Sequence, residues 1–179
     1  MSTPEETAAR EPIINHLALI VEESRTLSEG IPNPIGPGVM EGCGAAICTV
    51  DGHVYAAGDA ELEFAIQSIS KTFTYALALS DRGAAFLDSK IDVEPSGEAF
   101  NEISLDGEPS RPANPLVNIG AIAAAWCVSG ERFPRILDFY QRLAGRTLSV
   151  DEEIYRDEMA ASARNRALAW LLTAAGVIE

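Results

Sequence analysis

The sequence predicts an α+β fold in which helices pack on an antiparallel sheet. Three observations support this class: a short hairpin pattern near residue 50, several segments with helical periodicity, and the lack of any repeat or low-complexity tract. The 179 residues are enough for one domain of ordinary size. Because two strands alone do not make a stable sheet, the pattern predicts a fold whose sheet is incomplete.

Apolar residues at helical spacing mark most of the chain. The first such segment starts at Pro12, which suits the first turn of a helix, and extends to about Gly30. Residues 1–11 before it are expected to form a flexible tail, and residues 12–179 an incomplete domain. The later helical segments are 68–79, 118–128, 133–146 and 152–175. Pro and Gly are frequent in the stretches 31–44 and 84–117, which are therefore predicted to be loops.

The hairpin prediction is based on Asp51-Gly52. This pair lies between the β-prone runs 45–50 and 53–57. Asp-Gly is favoured at the two central positions of a type I′ turn, where both residues need a positive φ. The sequence therefore predicts two antiparallel strands joined by a two-residue turn.

Composition excludes several classes of function. The chain has 13 Lys and Arg against 27 Asp and Glu, a formal net charge of −14, which disfavours binding to nucleic acid or to an anionic membrane surface. With three Cys and two His, neither a disulfide framework nor a metal site is expected, and no cofactor is implied. The longest apolar stretch is about half a membrane span, and the first residues are acidic, unlike a signal peptide. A cytoplasmic protein is expected.

A Ser-x-x-Lys motif carries the main chemical hypothesis. Ser68 and Lys71 are three positions apart, so they share one face of the predicted helix. A serine hydroxyl becomes a good nucleophile when a base takes its proton, and a lysine can be that base if burial keeps its amine neutral. Such a motif also arises by chance about once in a chain of this length. Ser70 is close by, but it has no base three residues further on.

Two further clusters contain candidate binding residues. Asn118 begins the small-residue helix, where it is either an N-cap or an amide that binds a polar substrate. Glu158 and Asn165 are seven residues apart, which places them on nearly the same face of one predicted helix. The carboxylate would suit a substrate ammonium and the amide a substrate carboxylate. An ordinary solvated helix face explains this second pair equally well.

Taken together, these clusters resemble the serine-dependent bacterial-type glutaminase family. The resemblance runs from about residue 50 to residue 179. It rests on these segments: GDA at 58–60, FAIQSISKTF at 64–73, VEPSGEAFN at 93–101, NPLVNIGAI at 114–122 and RNRALAWLL at 164–172. The family hydrolyses L-glutamine to L-glutamate and ammonia through a serine acyl-enzyme, on a fold similar to β-lactamases and penicillin-binding proteins.

The resemblance also implies roles for individual residues. Ser68 would be the nucleophile and Lys71 its base, while Ser68, Asn118, Glu158 and Asn165 would hold the glutamine. Family members commonly form homo-oligomers. They also continue well beyond the RNRA segment, with two Tyr residues and a strand that supplies an oxyanion N–H. The chain is therefore expected to be truncated, and to be completed by a missing C-terminal segment or a second chain.

One local difference from the family stands in the first loop. Family members have a Tyr-Ile-Pro stretch there, and this chain has Gly30-Ile31-Pro32. Two alternatives to a glutaminase remain open at this point. One is a non-catalytic remnant that binds glutamine or regulates another protein, and the other is a β-lactamase-like acyl hydrolase, which the same Ser-x-x-Lys motif would fit.

Overall fold

The computed structural model describes residues 4–27, 29, 42–97 and 110–179, with the backbone alone for 4–11. The chain forms two compact units, residues 1–65 and 66–179. A single domain over 12–179 stays a prediction.

The elements in chain order are α1 (Pro4–Arg25), β1 (Gly44–Cys48), β2 (Val54–Gly58), a 3₁₀ turn (Gln67–Ile69), α2 (Ser70–Arg82), α3 (Ala84–Asp88), α4 (Asn118–Cys127), α5 (Arg132–Ala144), α6 (Glu152–Ala160) and α7 (Ala163–Ala174).

In the first unit, α1 packs against a hairpin formed by β1 and β2. The two strands are antiparallel, with Ala46 opposite Ala56. Among the helix residues whose side chains are described, 12–25, Leu17 and Val21 are buried. Val21 lies against Gly58, where an added Cβ would come 2.7 Å from Val21 Cγ1. The glycine therefore allows helix and strand to approach closely, and this small unit has the helix-on-sheet arrangement that the sequence predicts.

The predicted start of the first helix is wrong. The helix begins at Pro4 instead of Pro12, so residues 4–11 of the predicted tail are helical and Pro12 lies inside the helix. Pro4 fits the first turn because its missing N–H would have no intrahelical partner there. The helix ends at Arg25, and Gly30 lies outside the described residues, as do most of loop 31–44 and residues 98–109 of the irregular segment.

The hairpin forms where the sequence predicts it, but its turn is of another type. The Gly52 N–H donates to the Thr49 carbonyl at 2.9 Å, which makes Val50 and Asp51 the central residues. Gly52 has a φ of +85°, whereas Asp51 does not have a positive φ. A type I′ turn would need positive φ at Asp51 as well, so the glycine instead follows the turn, as in longer hairpin loops.

The second unit is built around α4. Its small residues allow close packing: Ala123 and Ala124 are fully buried between α2 and α7. The rest of the core consists of apolar residues of α4 itself and of the segments around it, namely Leu77, Ala78, Leu87, Ile91, Ile119, Cys127, Val128, Leu168, Leu172 and Val177. In the part of the chain described here, no helix combines the length and the hydrophobicity needed to cross a bilayer.

Two other boundaries differ from the prediction. The stretch 84–117, predicted to be irregular, begins with the short helix α3. The single helix predicted over 152–175 is two helices, α6 and α7, because the chain turns at Ala161 and Ser162. At this turn the Ser162 hydroxyl donates to the Met159 carbonyl at 2.6 Å, a local bond that competes with continued helix.

Candidate active site

The Ser-x-x-Lys segment spans the junction between the 3₁₀ turn and α2. Ser68 was expected on the first turn of the α-helix, but it lies in the 3₁₀ turn, and α2 starts at Ser70. The Ser70 hydroxyl and its N–H both donate to the Gln67 carbonyl, the hydroxyl at 2.6 Å, and these bonds close the tighter turn. Ser68 is exposed and Lys71 is half-buried.

Ser70 is the less suitable nucleophile of the two serines. Its hydroxyl already donates a hydrogen bond to the Gln67 carbonyl. Its own carbonyl accepts a 2.9 Å hydrogen bond from the Tyr140 hydroxyl and a 2.8 Å bond from Thr74 Oγ1. Ser70 thus anchors the start of α2. This agrees with the choice of Ser68 as the candidate nucleophile, which is based on its spacing of three residues from Lys71.

Lys71 is held by two acceptors near the start of α4. Its Nζ donates to Asn118 Oδ1 at 2.7 Å and to the Leu116 carbonyl at 2.8 Å. Burial lowers the pKa of Lys71 below the usual value for lysine. The environment therefore favours the neutral amine more than water would, which is the state that a base requires.

Asn118 is not an N-cap. It is the first residue inside α4, the N-cap position belongs to Val117, and no side chain caps the helix from there. The Asn118 amide oxygen instead accepts from Lys71. The cap interpretation of this residue is therefore wrong, and its side chain lies next to the candidate base.

The loop before α4 is organised by Asn114. Its Oδ1 accepts from the backbone N–H groups of Leu116 and Val117 at 3.0 and 3.2 Å, and its Nδ2 donates to the Glu94 carbonyl at 2.9 Å. Gly120 faces the same loop, and a Cβ there would overlap the Asn114 carbonyl. These contacts position the Leu116 carbonyl that binds Lys71. An Asn before a Pro is a known turn signal, and it would have identified Asn114.

Glu158 and Asn165 lie on different helices. Glu158 is half-buried on α6, and its Oε1 accepts a 3.1 Å hydrogen bond from Gln67 Nε2. Asn165 is exposed on α7. The argument that both share one face of one helix is therefore wrong. The structure instead links Glu158 to the residue that precedes Ser68.

Tyr140 and Gln67 are parts of the site that the sequence does not predict. Tyr140 reaches the start of α2 from α5, 70 residues away along the chain, and no local pattern reveals such a contact. Gln67 is the one non-glycine residue with a positive φ, +45°, in the described ranges 4–27, 42–97 and 110–179. Glutamine is not a residue type that favours a left-handed backbone, so the sequence does not reveal this conformation.

Comparison with known proteins places this geometry in a family. A model of the glutaminase family matches residues 38–179. Glutaminase from Corynebacterium efficiens is 43% identical over 159 residues, which is 86% of this chain and 36% of the relative. Glutaminase 2 from Bradyrhizobium diazoefficiens is 49% identical over 133 residues, 72% of this chain and 21% of the relative.

A solved structure agrees with the sequence matches. Mglu in its glutamate form superposes with a TM-score of 0.85 at 43% identity, over 94% of this chain and 41% of that one. The α+β, β-lactamase-like fold implied by the resemblance is therefore confirmed. The chain spans well under half of the length of these relatives. Its sequence, from residue 38 to residue 179, belongs to the glutaminase family.

Proposed function

We propose that this chain contributes the nucleophile, its base and part of the substrate pocket for hydrolysis of L-glutamine to L-glutamate and ammonia. The observation that carries the proposal is the position of Lys71, three residues after Ser68. Its Nζ donates to Asn118 Oδ1 and to the Leu116 carbonyl. Membership of the glutaminase family and the similarity to Mglu in its glutamate form support the choice of substrate.

The hydrogen bonds of Lys71 fit the role of a base. Asn118 Oδ1 and the Leu116 carbonyl both accept from Nζ. A neutral amine also has a lone pair that can take a proton. In this mechanism it takes the proton from the Ser68 hydroxyl as the Ser68 oxygen attacks the side-chain amide carbon of glutamine.

The remaining steps return the proton and release both products. Collapse of the tetrahedral intermediate breaks the C–N bond, and the proton held by Lys71 passes to the leaving nitrogen, which departs as ammonia. A water molecule, deprotonated by the same amine, then attacks the ester on Ser68. The Ser68 oxygen recovers its proton, and glutamate leaves.

Substrate recognition in this proposal uses charge complementarity. Glu158 pairs with the α-ammonium group of glutamine, Asn165 donates to its α-carboxylate, and Asn118 and Ser68 lie closer to the reacting amide. Half-buried polar groups such as Glu158 and Asn118 reject analogues that leave them unpaired. The half-buried position of Glu158 supports its part of this assignment.

One alternative has a specific observation in its favour. The bonds of Lys71 to Asn118 and to the Leu116 carbonyl, and the bond of Gln67 to Glu158, also suit a site that binds glutamine without hydrolysing it. A chain that binds glutamine with little or no turnover is the second candidate. We also propose that the chain assembles into a homo-oligomer or is completed by a further segment, and that it is located in the cytoplasm.

The test is ammonia release from L-glutamine by the chain and by its Ser68→Ala variant. We expect slow release that the substitution abolishes, while Ser70→Ala retains it. Release that survives Ser68→Ala would refute Ser68 as the nucleophile. Glutamine binding with no release from either protein would support the binding alternative, and hydrolysis of a β-lactam in place of glutamine would support a β-lactamase-like enzyme.

A further inference from the structure

The peptide group between Leu116 and Val117 is held from both sides. Its carbonyl oxygen accepts a 2.8 Å hydrogen bond from Lys71 Nζ. Its N–H donates to Asn114 Oδ1 at 3.2 Å. The carbonyl and the N–H of a trans peptide lie in one plane and point in opposite directions. The bond to Asn114 therefore restrains the direction in which the Leu116 carbonyl faces the lysine amine.

The Asn114 side chain is itself anchored by further contacts. Its Oδ1 also accepts from the Leu116 N–H at 3.0 Å, the bond of an Asx turn. Its Nδ2 donates to the Glu94 carbonyl at 2.9 Å, and the Glu94 N–H donates to the Ala113 carbonyl at 2.9 Å. The backbone of Asn114 lies against Gly120, where an added Cβ would come 1.9 Å from the Asn114 carbonyl oxygen. These contacts keep Oδ1 on the N–H side of the restrained peptide group.

The orientation of the Leu116 carbonyl matters for Lys71 in two ways. A lysine side chain has a flexible four-carbon stem, so its amine stays in one place only where acceptors hold it. A carbonyl oxygen that faces the amine also stabilises the ammonium form more than the neutral form. Burial lowers the pKa of Lys71, and this hydrogen bond opposes that effect. If the carbonyl turns away, the amine becomes more mobile and its pKa falls further.

We propose that Asn114 is a positioning residue for Lys71, which turns the Leu116 carbonyl toward the amine and so holds Nζ between this carbonyl and Asn118 Oδ1. Asn114 acts through the peptide group and not on the substrate. The placement of the amine does not depend on any activity. Its consequence for the reaction, a base that is held in place for the Ser68 hydroxyl, rests on the proposed function.

The chain suits a direct NMR test because it has two lysines, Lys71 and Lys90. In a chain labelled with ¹³C at the lysine ε carbons, two signals titrate with pH, and Lys71→Arg identifies the one that belongs to Lys71. Lys90 is the internal reference, because its Nζ contacts the Trp126 ring and the Gly176 carbonyl, neither of which belongs to loop 114–117. In Asn114→Ala we expect the Lys71 midpoint to move to lower pH and the Lys90 midpoint to stay.

Three further variants separate positioning from general stability. Asn114→Asp keeps the accepting oxygen and adds a charge that favours the ammonium, so its Lys71 midpoint should not move to lower pH. Gln141→Ala is the matched control, because Gln141 Oε1 also accepts from a backbone N–H, that of Leu148, at 3.1 Å in the same unit. It should leave the Lys71 midpoint unchanged. If Asn114→Ala does not fold, Asn114→Ser decides: its shorter hydroxyl bonds to fewer N–H groups, and the midpoint should move in the same direction by less.

A kinetic measurement tests the consequence for the reaction. A γ-ester of L-glutamate acylates Ser68 in the proposed mechanism, and we expect this step to be about tenfold slower in Asn114→Ala, the size typical of one lost hydrogen bond to a charged group. Where turnover of glutamine is measurable, kcat should fall more than KM rises, because the amine serves the chemical step. Unchanged acylation in a folded Asn114→Ala protein would overturn the effect on the reaction.

The outcomes distinguish this inference from the function on which it rests. A Lys71 midpoint that rises in Asn114→Ala, or that stays where it is in Gln141→Ala, would overturn the role of Asn114 and leave the proposed function intact. A midpoint that falls as expected, in a chain whose Ser68 is never acylated, would support the placement of the amine by Asn114 and overturn the proposed catalytic function.

Discussion

Lys71 Nζ donates a 2.7 Å hydrogen bond to Asn118 Oδ1. This bond joins the first turn of α2 to the first turn of α4, and so brings together two motifs that are 47 residues apart in the sequence. The bond places the side chain of residue 118 in direct contact with the lysine amine.

The first prediction concerns the chemical role of Lys71. Lys71→Ala should reduce the rate of glutamine hydrolysis by a factor of about 100 to 10,000, because the general base is lost. Lys71→Arg is the matched control for charge, and it should be equally impaired because a guanidinium stays protonated. Ammonia release is the measurement, and circular dichroism should show both variants folded. Near-normal rates in either variant would contradict the role.

The second prediction concerns pH. Because burial lowers the pKa of Lys71, the fraction of neutral amine rises with pH around a midpoint below the ordinary lysine value of about 10.4. The rate should therefore increase with pH through that midpoint. Asn118→Asp places a carboxylate against the ammonium and should move the midpoint to higher pH, whereas Asn118→Ala should not. An unchanged pH profile in Asn118→Asp would show that Lys71 does not control the rate.

The third prediction concerns the anchoring of α2. Tyr140→Phe removes the hydroxyl that donates to the Ser70 carbonyl and should lower the free energy of unfolding by about 1 kcal/mol. The Tyr140 and Thr74 hydroxyl oxygens are also in hydrogen-bond contact with each other, so their two protons are divided between this contact and the two contacts with the Ser70 carbonyl. Thr74→Val and Tyr140→Phe should therefore be non-additive in a double-mutant cycle.

Tyr155→Phe serves as the control for this cycle, because Tyr155 is exposed. Its effect on the free energy of unfolding should stay within about 0.5 kcal/mol. Additive effects of Thr74→Val and Tyr140→Phe would contradict a shared hydrogen-bond network. The measurement is chemical denaturation of each single variant and of the double variant.

The fourth prediction concerns the hairpin turn. The Asp51 carboxylate accepts from the Thr49 hydroxyl and lies 2.9 Å from His53 Nδ1, and these contacts lower the pKa of Asp51 to about 2. The contribution of the carboxylate to hairpin stability should be complete above the unfolded value of about 3.9 and disappear as the pH falls through about 2.

An NMR titration of the Asp51 carboxyl carbon measures this directly. The Thr49→Val variant should raise the midpoint, since the Thr49 hydroxyl makes the largest contribution to the lowered pKa. A midpoint near 3.9 in the unmodified chain would show that the turn does not hold the carboxylate.

The sequence predicts the parts of the fold that depend on local signals. Small residues at helical spacing identify α4, and Asp51-Gly52 identifies the hairpin, although the turn type differs because Asp51 does not adopt a positive φ. The Ser-x-x-Lys spacing points to Ser68 and Lys71, whose catalytic roles stay predictions. The break between α6 and α7 coincides with the hydrogen bond from the Ser162 hydroxyl to the Met159 carbonyl, a local contact that apolar periodicity does not reveal.

The remaining features depend on contacts between distant segments. Tyr140 acts on α2 from α5, and Gln67 meets Glu158 across 91 positions. No pattern of spacing encodes either pair, because each partner is an ordinary residue in its own segment. The same holds for Asn118, whose place inside α4 becomes informative only when Lys71 is found beside it.

The most direct measurement is peptide mapping by mass spectrometry after incubation with a γ-ester of L-glutamate, rapidly quenched with acid. The ester has a better leaving group than the amide, so the acyl intermediate should accumulate even when later steps are slow. We predict one glutamyl group on the peptide that contains Ser68, no such group in Ser68→Ala, and a much slower appearance in Lys71→Ala. A glutamyl group on another residue, or unchanged labelling of the Ser68→Ala protein, would contradict the account.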